Sequence, residues 1–228
     1  FDLQLFDRHG KRLQLNEQGR LLLPAAEALM AQARELEQNL LQHRHQGELT
    51  IGATLSIGNY LAIGLVAEYM KRYPGTRVHL DVENTRHIVE RVLAWELDAG
   101  LIEGEINHPD LDSDLEVTPW RDDELVVFCN PEHALAARRQ LNDSDLLAAS
   151  WILREPGSGT RQAFDRALHG LLPKLNVVLE LQHTEAIKRA VEAGLGIACL
   201  SRITLTDAFR RGSLVELAVP HRDFHRQL

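Results

Sequence analysis

Four short stretches of this chain place hydroxyls and amides where an apolar, strand-like run gives way to a helical one. They are Thr54 to Ser56, Asn84-Thr85, Gly157-Ser158-Gly159-Thr160 and Thr184. In α/β folds a ligand sits at the carboxyl ends of parallel strands, where the following helices present unpaired amides. The Gly-Ser-Gly-Thr loop is the sharpest of the four. Its two glycines allow the backbone to approach a ligand, while Ser158 and Thr160 add hydroxyl donors at a helix start. No bulky aromatic sits at any of the four junctions, which favours a small oxyanion over a flat aromatic or a nucleotide. A single junction of this kind is most simply a turn with an N-cap; four of them converging from both lobes make a site.

Arg154 offers a bidentate fork to an oxyanion and equally suits a nearby carboxylate. Glu155 would repel a bare anion. It fits by bonding a protonated ligand such as bisulfite or by orienting the loop, and Glu103 faces the same choice. Both glutamates are candidate ligand contacts, with the structural role favoured.

Enzymatic patterns fail on inspection. Gly194-Leu195-Gly196 opens like a dinucleotide fingerprint, but Cys199 occupies the third glycine position. Gly157 to Thr160 lacks the lysine and spacing of a P-loop, and Thr54 to Gly58 is one glycine short of a nucleophile elbow. His43 and His45 fall on different faces of a helix, His221 and His225 have no further ligands nearby, and the 11 histidines show no zinc spacing. No catalytic residue, no metal and no cofactor is expected, only a small-molecule effector.

The elements that position the junctions follow from periodicity. Strands are expected over 49–53, 78–82 and 99–102, and helices over 59–72 and 86–96. A second series has strands at 124–128, 151–153, 177–181 and 197–200, with helices over 161–168 and 185–192. This alternation argues for parallel sheets covered by helices, in two similar lobes with a cleft between them. Residues 214–219 are expected to return toward the first lobe.

Ahead of the lobes, a basic hairpin over 6–15 runs into one long helix capped by Asn16. Leu22, Ala26, Leu29, Ala33, Leu36 and Leu40 recur at alternating spacings of four and three, an a/d seam ending near Gln46-Gly47. A seam this long is expected to pair with a second copy of itself. Arg8, Lys11, Arg12 and Arg20 would then appear twice and grip DNA through phosphates, although a solvated charged turn is the simpler reading of the hairpin alone.

The overall balance is acidic, 33 Asp and Glu against 25 Lys and Arg, so the basic groups that matter are local. Cys129 and Cys199 lie in apolar contexts and read as buried thiols in a reducing cytosol rather than a redox switch. No run has the length and apolarity of a membrane span and no signal peptide opens the chain, so a cytoplasmic location is expected.

In this order the segments resemble a LysR-type transcriptional regulator. The resemblance rests on the wing from Gln4 to Arg20, the long helix, and Gly47-Glu48-Leu49-Thr50-Ile51-Gly52. Further matches at Ser56 to Tyr60, Asn84-Thr85, Gly100 to Gly104, Trp151 to Glu155, Gly157 to Arg161, Glu185 to Lys188 and Gly194 to Ile197 narrow it to a sulfite-responsive, YeiE-like branch. The resemblance implies two Rossmann-like lobes of the type 2 periplasmic-binding-protein kind, preceded by a winged-helix remnant and a dimerisation helix. The implied divisions are a wing over 1–16, a linker helix over 17–46, lobe I over 48–122 with 219–228 returning to it, and lobe II over 123–218. It further implies a homodimer or dimer of dimers on promoter DNA. Against the family pattern, the helix-turn-helix before the wing is missing, and the chain stops before the last strand and helix of lobe I. An exposed sheet edge is therefore expected there. A solute-binding protein of a transporter for a small anion shares the two-lobed fold, but the heptad and the basic wing speak against it.

Overall fold

A computed structural model describes residues 4–10, 12–106 and 115–228, with side chains of the long helix described through residue 34. It divides into two compact units, residues 1–47 with 72–77, and residues 48–71 with 78–228.

In the first unit, β1 (Phe6–His9) pairs antiparallel with β2 (Arg12–Leu15), with Phe6 opposite Leu15. Helix α1 (Glu17–Gln46) starts where the Asn16 Oδ1 accepts the Gly19 N–H at 2.8 Å, as the sequence predicts. Asn16 also ties the hairpin down, donating from its side chain to the Gln4 carbonyl at 2.6 Å. Gly19 is required by close approach, since a Cβ there would lie 2.2 Å from the Leu5 carbonyl oxygen. Leu22, Ala26, Leu29 and Ala33 are all exposed, Leu29 by 67%. Leu36 and Leu40 have side chains outside the described residues.

The second unit holds two sheets. Lobe I has the order β4-β3-β5, from β3 (Glu48–Thr54), β4 (Arg77–Glu83) and β5 (Ala99–Leu101), with β3 parallel to β5. The helical segment after β3 begins at Leu55, four residues earlier than expected. It runs as α2 (Leu55–Ile57), a π-helical stretch (Gly58–Ala62) and α3 (Ile63–Arg72). Helix α4 (Thr85–Leu93) follows β4. The lobe's own apolar cluster is small: Ala53, Ile57 and Ala62 with Leu80, Leu101 and Leu228 packed against it.

Lobe II is built on the order β10-β6-β9-β7-β8, from β6 (Asp122–Cys129), β7 (Ser150–Arg154), β8 (Asn176–Leu181), β9 (Ile197–Ser201) and β10 (Val215–Leu217). β7 runs parallel to β8 and β9, and β6 antiparallel to β9. Helices α5 (Asp143–Ala148), α6 (Gly159–Ala167), α7 (Thr184–Glu192) and α8 (Arg202–Arg211) cover both faces. Period-two alternation sends Trp151 to one face, edge-on to Phe164 with ring centroids 5.0 Å apart, and Ile152 to the other, against Ile187 and Leu200.

One expectation is corrected here. Residues 214–219 do not return to lobe I: Val215 and Leu217 of β10 pair with Cys129 and Val127 of β6 and extend the lobe-II sheet. The chain reaches lobe I only later. β11 (His225–Gln227) pairs with β6, and Leu228 packs on the lobe-I cluster while accepting a bond from Trp120 N–H at 2.8 Å.

Candidate functional site

The parallel registers bring the four junctions to the carboxyl ends of their strands: Thr54 after β3, Asn84-Thr85 after β4, Gly157 to Thr160 after β7 and Thr184 after β8. They are not equivalent. Asn84 caps α4, accepting the His87 N–H at 3.1 Å, and Ser158 caps α6, accepting the Arg161 N–H at 3.4 Å. The Thr85 hydroxyl donates to the Glu103 carbonyl and accepts the Gly159 N–H, both at 3.1 Å, while Arg86 N–H donates to the Gly157 carbonyl. The loop from lobe II is thus docked onto the start of α4 in lobe I. Gly159 is what permits it, because a Cβ would fall 1.9 Å from the Glu103 carbonyl oxygen. Gly157 supplies the left-handed turn at φ +90°.

A buried ionic chain lies beneath this joint. Glu103 accepts the Ser56 N–H at 3.0 Å on one oxygen, and on the other the Thr160 hydroxyl at 3.1 Å and Arg226 Nη1 at 2.9 Å. Arg226 Nε donates to Asp123 at 2.8 Å, and Ser201 donates to the second Asp123 oxygen at 2.7 Å. Arg226 Nη2 stands 2.7 Å from the same Asp123 oxygen as an ion pair, but not at hydrogen-bond angles. Burial pushes the Glu103 carboxyl up; the Arg226 charge, the Ser56 amide and the more distant Arg154 outweigh it, and the group lies below its ordinary range. It is an ionised structural carboxylate. Arg154 is spent in the same way, forked onto Glu155 at 2.8 and 2.9 Å.

One junction hydroxyl remains over. Thr54 and Thr184 are 2% and 1% exposed; the Thr54 hydroxyl lies against the Glu103 carboxylate and helps to hold it ionised, whereas the Thr184 hydroxyl has no hydrogen-bond partner. Thr184 opens α7, where the preceding His183 provides no side-chain cap. Buried polar atoms are almost always partnered, so the Thr184 hydroxyl stands apart from the other junction groups. Among the described residues no three His, Cys, Asp or Glu side chains converge on a metal position.

Sequence reasoning missed the charged partners. Arg226 and Asp123 carried no local pattern. Tyr60, Glu185 and Lys188 join the lobes at another point: the Tyr60 hydroxyl donates to Glu185, and Lys188 donates to Glu185 at 2.8 Å and to Tyr60 at 3.2 Å. Lys188 follows Thr184 by one helical turn, a spacing that could have flagged it.

Two voids flank the lobes without containing Thr54 or Thr184. One of about 500 Å³ is lined by Thr85, Arg86, Glu105, Pro156 and Arg161. The other, about 590 Å³, is an apolar groove along lobe I past Ile88, Val92, Ile102 and Trp120.

In the first unit, Arg8 Nε donates to the Gly10 carbonyl and Arg20 Nη1, from the first turns of α1, to the Leu15 carbonyl, each at 3.2 Å and exposed. Lys11 and the Arg12 side chain lie outside the described residues. Cys129 and Cys199 are buried; burial pushes the Cys129 thiol up to about 11 and the Cys199 thiol higher still, so both stay protonated and unreactive at neutral pH.

The model of the LysR substrate binding domain matches residues 42–228. The chain belongs to the LysR-type family of transcriptional regulators. It is 46% identical to the HTH-type transcriptional regulator YeiE of Escherichia coli over 96% of this chain and 72% of that protein. It is 33% identical to the HTH-type transcriptional regulator CysL of Bacillus subtilis, over 90% of this chain and 68% of the relative. The CcmR regulatory domain of Synechocystis, solved in complex with 2-PG, superposes with a TM-score of 0.70 at 32% identity, covering 80% of this chain and 85% of that one. The two-lobed portion is therefore an effector-binding domain, and the family is one of regulators rather than enzymes. No helix among the described residues is long and apolar enough to cross a membrane.

Proposed function

We propose that the two lobes sense a small oxyanion, sulfite, and that the chain acts in the cytoplasm as part of a homodimeric or tetrameric regulator of promoter DNA. One observation carries the effector reading: the Thr184 hydroxyl, at the start of α7, is sealed from water without a partner. Among the described residues the buried arginines at the lobes already face carboxylates, Arg154 on Glu155 and Arg226 on Glu103 and Asp123, while Lys188 rests on the half-exposed Glu185. Hydroxyls and helix-start amides in such a site select an anion by shape and hydrogen-bond count. The 46% identity to YeiE supports placing the chain in that branch, from which the choice of sulfite comes. Glu103, Thr160, Thr85 and Asn84 shape the joint around the site, and Ser158 holds the loop. Arg8, Lys11 and Arg12 of the hairpin and Arg20 at the start of α1 fit sequence-independent phosphate contacts. The exposed stripe of Leu22, Ala26, Leu29 and Ala33 fits pairing with a second copy.

The test is calorimetric titration of the folded chain with sulfite, sulfate, thiosulfate, phosphate and acetate at matched pH. Selective heat with sulfite is expected; selective heat with another anion would replace sulfite and keep the oxyanion site. Heat with none of them would reject it.

A further inference from the structure

The Tyr60–Glu185–Lys188 cluster lies outside the four junctions yet ties lobe I to lobe II. Tyr60 lies in the π-helical stretch Gly58–Ala62, and a π-insertion shifts a side chain out of α-helical register, a feature that recurs at functional positions. Its hydroxyl donates to Glu185 and accepts from Lys188, whose ammonium also stands 5.7 Å from the Tyr60 ring centroid. Among the described residues Lys188 is the one buried lysine, 7% exposed. A buried ammonium has to be neutralised and bonded. Here that falls to a single carboxylate, 58% exposed at its side chain and shared with Tyr60. Only two of the three ammonium donors are engaged. One turn earlier on the same face of α7 stands Thr184, with its buried and unpartnered hydroxyl. A small anion held at Thr184 would therefore lie within the sweep of the flexible lysine stem.

We propose that Lys188 is the cation of the effector site, and that a bound anion draws its ammonium away from Glu185 and Tyr60. Effector binding then exchanges one partner for another. With the site empty, Lys188 helps fasten α7 to lobe I; with the site filled, it faces the ligand and the fastening loses its shared cation. The inference rests on the oxyanion reading above. It adds to that reading a named contact and a reason for ligand occupancy to change how the lobes are joined, since a ligand shifts such an equilibrium only through contacts that differ between the two states.

The experiment is sulfite titration by calorimetry of the parent chain, Lys188→Met, Lys188→Arg and Tyr60→Phe, each first shown to unfold cooperatively. Lys188→Met is expected to bind at least about tenfold more weakly, the usual loss for a charge-assisted bond, and Lys188→Arg within about threefold of the parent. Tyr60→Phe removes a competitor for the ammonium and is expected to bind about threefold more tightly. Unchanged affinity in Lys188→Met, or a loss in Tyr60→Phe equal to that in Lys188→Met, would overturn the proposal. Should Lys188→Met fail to fold, Tyr60→Phe decides alone: tighter binding supports the exchange, and unchanged or weaker binding rejects it. A parent chain that binds no sulfite would remove the effector reading itself and this inference with it.

Discussion

The guanidinium of Arg226 lies 2.9 Å from the carboxylate of Glu103, and both side chains are sealed from water, at 0% and 2% exposure. Through its Nε the same guanidinium holds Asp123, so one cation from β11 pairs with two carboxylates. Ion pairs this deeply buried add little net stability over an apolar packing, but losing one partner leaves an uncompensated charge.

Arg226→Met should therefore destabilise the chain by about 3–5 kcal/mol in denaturant unfolding. Adding Glu103→Gln to that variant should restore part of the loss, because one orphaned charge disappears. A double variant less stable than Arg226→Met by the full cost of a further independent substitution would show that the two residues are not coupled.

The pH dependence follows from the lowered Glu103 carboxyl. Its stabilising contribution is present in full above the unfolded value of 4.5 and is lost as pH falls from there through the folded value. Glu103→Gln should flatten the acid limb of the stability curve in that window and leave the neutral and basic limbs parallel to the parent's. A parallel acid limb would mean that other carboxylates govern acid unfolding.

Thr184→Val separates binding from folding. It removes a buried hydroxyl that has no partner, so stability without effector should be unchanged or raised by up to about 1 kcal/mol. Sulfite affinity should fall by about tenfold or more in the same variant. Loss of stability together with unchanged affinity would show this hydroxyl to be a packing group.

Gly159→Ala probes the joint between the loop and α4. The added methyl meets the Glu103 carbonyl oxygen at 1.9 Å, so the lobes must move apart locally, at a cost of about 1–3 kcal/mol in unfolding free energy. Ser158→Ala, which removes only the α6 cap, should cost about 1 kcal/mol. Thermal or denaturant unfolding of the two variants side by side ranks the effects.

Leu22→Glu with Leu29→Glu tests the seam of α1. Both leucines are already exposed in the single chain, by 49% and 67%, so monomer stability should be close to the parent's. Light scattering across dilution should show a dimer in the parent and a monomer in the variant. Unchanged mass would place the dimer contact elsewhere.

What the sequence disclosed and what it hid divide along the range of the interactions. Asn16 as a cap, the heptad of α1 and the strand–helix alternation are local patterns, and all are present within a few residues of their expected bounds. Helix α5 has a capping box between Asn142 and Asp145 that was readable, but at six residues it has no periodicity to draw attention. Helix α8 contains Ile203, Thr204 and Thr206, β-branched residues that weaken a helical signal. The types of the site residues were legible, whereas their condition was not. No local pattern says that Thr160 is consumed by Glu103 and Arg226 while Thr184 has nothing to bond, because the partners of Thr160 stand 57 and 66 residues away in the chain. The misassigned return at 214–219 has the same origin: the pairing of Val215 with Cys129 is decided by an edge formed 86 residues earlier (215 − 129).

The Glu103–Arg226 contact also bears on how the chain folds. It closes a segment of 123 residues, and the neighbouring Asp123–Arg226 contact one of 103. Loops of that span form slowly relative to hairpins and helix turns, since their closure entropy is met before any non-local contact compensates it. The lobe-II sheet pairs β7 with β8 at short separation and can assemble before β11 arrives. Refolding should accordingly show docking of the last strand as a late step.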